Sequence, residues 1–153
     1  MTRDEYVAQL NEQRLNVLKA CEGLSDEESS KPMGEGKWSI KDTLGHLAAW
    51  EGEVISAFEQ KARGQRPTIG DITDFDAWNK IEAAKRKDRS PAEIRSELHD
   101  GRTKLLTIVH DLPEGGDLWS PERSTSKMLN MLIEHDAHHS QQIHDYRCAG
   151  KEC

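Results

Sequence analysis

Apolar positions recur along most of this chain at spacings of three and four, the pattern of helices that each bury one face. Val7, Leu10, Val17, Cys21 and Leu24 mark such a stripe over about 3–23. Arg14 interrupts it. Either its stem runs past the core edge to keep the guanidinium wet, or the guanidinium enters a polar cavity; the first is the expectation here. A turn-rich passage over 29–37, with Pro32, Gly34 and Gly36, follows. Ser39 then caps a second helix with Asp42 three residues on, and Ile40, Leu44, Leu47, Val54, Ile55 and Phe58 form its stripe. His46 lies beside that stripe, in line with Thr43 and Trp50. After 64–70 comes a shorter element with Thr73 as its cap and Phe75, Trp78 and Ile81 on one side.

Ser90-Pro91-Ala92-Glu93 is a strong helix start, because Ser caps, Pro sits where no backbone donor is needed, and Glu completes the box. Ile94, Leu98, Gly101, Leu105, Ile108 and Leu112 continue it with bundle-like spacing. A last helix spans about 126–147. No alternating apolar and polar run appears, so no strand is predicted. The expected fold is all-α: a single domain over 1–153 built as a four-helix bundle, with a crossover connection and a short extra helix.

The chain carries 21 Lys and Arg against 28 Asp and Glu, a net charge of -7, and no stretch concentrates the basic residues among aromatics. On that balance nucleic acid and acidic membranes are expected to be repelled. Neither a signal-like start nor a membrane-length apolar run is present, so a cytoplasmic protein is predicted. The three cysteines, Cys21, Cys148 and Cys153, are odd in number and lack any CxxC spacing, which supports neither a disulfide framework nor a zinc knuckle. Cys21 reads as core and the other two as incidental thiols.

The chemistry concentrates in the last helix. Met128, Leu132, His135, His139 and Ile143 fall on one stripe, so two imidazoles occupy positions that should be dry. Histidines four residues apart on a helix can share one metal ion, and a third ligand must then come from another helix. His46 suits that role, since it leans inward and has Trp50 one turn away. His99 and His110 turn from their stripe centre, and His138 lies about 100° around the helix from His139. Glu134 precedes His135 but no HExxH is formed, which argues against a zinc peptidase. Trp50 and Trp78 can wall a substrate pocket, although plain core packing is the commoner role for such residues. Gln142, three residues after His139, can orient a ligand or substrate, whereas Asp136 reads as solvated.

The segment 37–51, with Lys37, Trp38, Ser39, Asp42, His46 and Trp50, followed far downstream by His135, Asp136, His138, His139, Gln141 and Gln142, resembles the DinB/YfiT-like superfamily. The tract from Asp76-Ala77-Trp78-Asn79 to Ser90-Pro91-Ala92-Glu93 resembles its ClbS/DfsB branch. That resemblance implies a metal site on His46, His135 and His139, with zinc or nickel as the usual ion. It also implies enzymes that act on small electrophilic substrates by hydrolysis or by transfer of a low-molecular-weight thiol, and a homodimer. The competing expectation is a non-enzymatic protein that sequesters a small reactive or toxic molecule.

Overall fold

Helices begin in this chain where side chains satisfy the backbone donors of the first turn. The computed structural model covers residues 1–153 and contains six α-helices: α1 Arg3–Ala20, α2 Asp26–Ser30, α3 Ile40–Ala62, α4 Phe75–Lys85, α5 Pro91–His110 and α6 Ser124–Cys148. Short 3-10 turns lie at Ile69–Asp71 and Asp117–Trp119, and the sole extended pairing is an isolated bridge between Pro32 and Ser39. The all-α expectation holds. At α3 the Ser39 hydroxyl accepts from Asp42 N at 3.0 Å while Asp42 Oδ2 accepts from Ser39 N at 3.0 Å, the predicted reciprocal cap. Thr2 and Glu5 build the same device at α1. No helix is long and apolar enough to cross a membrane.

The chain divides into two compact units, Met1–Ser25 with Val109–Cys153, and Asp26–Ile108. In the first, α1 packs along α6. The buried face of α1 consists of Tyr6, Leu10, Arg14 and Val17, so Tyr6 takes the place expected of Val7. Its ring lies 5.7 Å from that of Trp119, whose indole N–H donates to Pro113 O at 2.9 Å. Arg14 does not reach out to water. It is buried, and its Nε and Nη2 donate to Asp136 Oδ2 and Oδ1 at 3.1 and 3.3 Å. Asp136 is itself only 2% exposed, so the solvated reading of that residue fails for the same reason. A guanidinium inside an apolar stripe needs a forked acceptor, and a carboxylate on the facing helix supplies it.

In the second unit, Ile40, Leu44, Leu47, Val54, Ile55 and Phe58 of α3 are buried as predicted, together with Ile94, Leu98 and Leu105 of α5. Ile108, where this unit ends, is only half-buried. Glu51 and Arg102 are buried as well, joined by an Arg102 Nε to Glu51 Oε1 bond of 2.6 Å. Gly101 packs beside this pair, where a Cβ would meet Glu51 Oε2 at 3.4 Å.

Helix α4 departs furthest from expectation. Its cap is Asp74, which accepts from Ala77 N at 3.0 Å, and not Thr73. Phe75 and Ile81 are more than half exposed, at 58% and 57%. Aromatic and polar contacts together hold the element: Trp78 and the edge of Phe75 lie against Trp50, Trp50 Nε1 donates to Asn79 Oδ1 at 2.9 Å, and Arg86 joins Glu82 at 2.9 Å and Glu97 at 2.6 Å. Cys148 and Cys153 also differ from the sequence reading, because they form a disulfide across five residues. Gly150, at φ +74°, makes the reversal that brings them together.

Candidate metal centre

Two helices supply the histidines. On α6, His135 and His139 are one turn apart and both half-buried, with ring centroids 4.8 Å apart. Leu132 and Ile143 bracket them on the apolar face, so the same periodicity that buries the helix carries the imidazoles inward. His138, in contrast, is exposed. On α3, His46 is half-buried between Gly45 and Leu47, both buried. Its ring lies 4.9 Å from that of Trp38, the residue just before the Ser39 cap. One ring nitrogen from each of His46, His135 and His139 completes a group of donor atoms all within 4.8 Å of one another, a set able to hold a metal ion.

The electrostatics favour neutral rings. Burial pushes His135 down to about 4 from an ordinary 6.5, and the neighbouring His139 and His138 add to that. Burial also lowers His139, partly offset by a hydrogen bond to Gln142. That bond runs between His139 Nδ1 and Gln142 Oε1 at 2.8 Å. With the amide oxygen as acceptor, Nδ1 carries the proton and Nε2 is left with its lone pair. A metal ligand needs this protonation state.

The donor set passes a simple test of fit. Three imidazole donors, with no thiolate or carboxylate among them, suit a borderline ion such as zinc or nickel rather than calcium or magnesium, which take oxygen ligands. Asp136 lies between the two α6 histidines in sequence but is engaged by Arg14.

The two tryptophans expected to wall a pocket lie against each other. Trp50 is buried, with its ring 4.3 Å from Trp78 and 5.7 Å from Phe75. Gln142 is exposed and occupied with His139. Trp38 had no assigned role in the sequence. Its position just before a cap and two turns upstream of His46 was the available clue, because such a residue folds back along the first turns of the helix.

Comparison with known proteins agrees with the fold. The model of the DinB superfamily matches residues 9–143. YfiT of Bacillus subtilis (strain 168), whose name describes it as a metal-dependent hydrolase, is 23% identical over 146 residues, covering 92% of this chain and 82% of its own. Among solved structures, the colibactin self-resistance protein ClbS in complex with double-stranded DNA superimposes with a TM-score of 0.85 at 12% identity, over 97% of this chain and 96% of that one. A further protein from Escherichia coli UTI89 gives a TM-score of 0.82 at 13% identity, over 99% and 96% of the two chains.

The ClbS complex corrects one expectation. A net charge of -7 predicts that nucleic acid is repelled, yet a protein of this fold has been crystallised with duplex DNA. The physical error is one of scale: a whole-chain sum says little about local cationic surface, and phosphate contacts are made locally. The match over residues 9–143 and the six-helix fold establish that this chain belongs to the DinB superfamily.

Proposed function

We propose that this protein is a divalent-metal-dependent enzyme in which His46, His135 and His139 hold the ion and a small electrophilic molecule is the substrate. The observation that carries this reading is the meeting of three half-buried imidazoles, two of them kept neutral by burial. Held by these three histidines, a divalent ion would supply Lewis acidity to a water or a low-molecular-weight thiol. The chain's own residues prepare that arrangement. His135 and His139 present unprotonated nitrogens without waiting for a proton to leave. Gln142 fixes the tautomer of His139, and Trp38 limits the rotation of the His46 ring.

Hydrolysis is the favoured reaction, on the name carried by the YfiT relative, with thiol transfer as the second outcome of the test. In this reading Trp50 and Trp78 form an apolar wall for the substrate, and Gln142 acts through His139. A cytosolic location and a homodimer belong to the same proposal.

The test uses protein purified without a histidine tag. Elemental analysis should find about one equivalent of zinc or nickel per chain. Turnover of an activated ester, and of an aryl halide with added thiol, should be lost on chelation and restored by the metal. Absence of bound metal, or turnover indifferent to chelator, would overturn the reading. Duplex DNA belongs in the same screen as a ligand.

A further inference from the structure

We propose that the Cys148–Cys153 disulfide is a thiol–disulfide exchange site, served by His144 and by the cleft beside it, with an anionic low-molecular-weight thiol as its redox partner. The inference is independent of the metal centre.

Four observations within one unit converge. Cys148 ends α6, and its Sγ lies 3.7 Å from Nε2 of His144, one turn earlier on the same face. His144 is exposed and also lines a cleft of about 340 Å³ between α1 and α6, together with Asn16, Lys19, Ser140 and Gln141. Lys19 is the sole formal charge among the lining side chains, so the cleft suits a thiol that carries a carboxylate. The charged residues that flank His144 on α6 are engaged, since Asp145 accepts from Gln141 and Arg147 donates to Ala20 O and Glu22 O at 2.8 Å each, while Lys151 and Glu152 lie exposed in the disulfide loop. The two Arg147 bonds pin the end of α6 to the end of α1. Cys148 is thereby held in place, while Cys153 is exposed beyond the Gly150 turn.

That asymmetry sets the direction of attack. A thiolate RS⁻ approaches the exposed Cys153 sulfur, the S–S bond breaks, and its electron pair leaves on Cys148 Sγ, where His144 delivers a proton. A mixed disulfide R–S–S–Cys153 remains. A second RSH gives its proton up, its thiolate attacks the sulfur of the first R, and Cys153 leaves as the thiolate and is protonated. The sum is Cys148–S–S–Cys153 plus two RSH giving two protein thiols plus RSSR, and the reverse reaction oxidises the protein. The C-terminal end of a helix disfavours a thiolate, so a proton donor beside Cys148 is what makes it a good leaving group.

The test uses the full chain, purified without reductant and with free thiols blocked. Peptide mapping should recover a Cys148–Cys153 crosslink. Reduction is then followed by mass spectrometry with glutathione, an anionic thiol, and with 2-mercaptoethanol, a neutral one. The His144→Asn variant should slow both thiols by about ten-fold and flatten the pH profile of the rate, as loss of a proton donor does. Lys19→Glu should slow glutathione by about five-fold, the scale of one reversed surface charge, while leaving 2-mercaptoethanol unchanged. Both variants lie on exposed helix faces, and helical circular dichroism confirms that they fold. An absent crosslink, or wild-type rates in His144→Asn and in Lys19→Glu, would overturn the proposal.

Discussion

The neutrality of His135 has a cost in acid that can be measured on the chelator-treated protein. The ring titrates at about 4 in the folded chain, against 6.5 when free of the fold. Between those values the unfolded chain takes up a proton that the folded chain refuses. Stability from this group is therefore complete above pH 6.5 and drains away as pH falls toward 4. Integrating that uptake from pH 7.5 to 5 gives a loss of about 2 kcal/mol, or about 4–8 °C in melting temperature for a chain of this size. Other groups titrate over the same range, so the informative measurement is a difference. Wild type and His135→Gln should be unfolded thermally and in urea at half-unit steps of pH. The variant lacks the linkage, and the stability of wild type relative to it should fall by about 2 kcal/mol between pH 7.5 and 5. His139 is lowered in the same direction but remains in both proteins. Parallel stability curves would refute the claim that burial holds His135 neutral.

His139→Ala should lose stoichiometric metal and metal-dependent turnover while keeping its helical circular dichroism, whereas His138→Ala, whose parent side chain is exposed, should keep both; equal loss would reassign the ligands. Asp136→Ala leaves Arg14 as a buried cation without its forked acceptor, and urea unfolding should report a loss of about 3–5 kcal/mol. A loss below about 1 kcal/mol would place Arg14 in water after all. Ser39→Ala removes the acceptor for Asp42 N at the start of α3, and should cost about 1 kcal/mol with little change in metal content.

What could be read from the sequence was whatever follows from periodicity and from caps, because both are local. The Ser39–Asp42 cap, the Ser90 cap and the α3 stripe needed no knowledge of distant residues, and the structure reproduces all three, although at Ser90 the hydroxyl accepts from Glu93 N while the Glu93 carboxylate turns to Arg89. His135 and His139 were legible for the same reason: two polar residues on a dry stripe ask for a shared partner. Arg14 posed the same question, and there the local rule gave the wrong answer. Whether a buried cation is tolerable depends on Asp136, 122 residues away, which periodicity cannot see. Glu51 and Arg102 were hidden in turn, since each reads as an ordinary charge on a helix until the other is placed beside it. Helix α4 failed by the opposite route. Its apolar residues follow the helical period, but packing is confined to the rings set against Trp50 while Asn79 and Arg86 fasten the rest, so Phe75 and Ile81 stay more than half exposed. The limit of legibility is therefore range rather than chemistry. A polar residue on an apolar stripe reliably marks an interaction, and its kind follows only when the fold supplies the partner, as a carboxylate does for Arg14 and two further imidazoles do for His46.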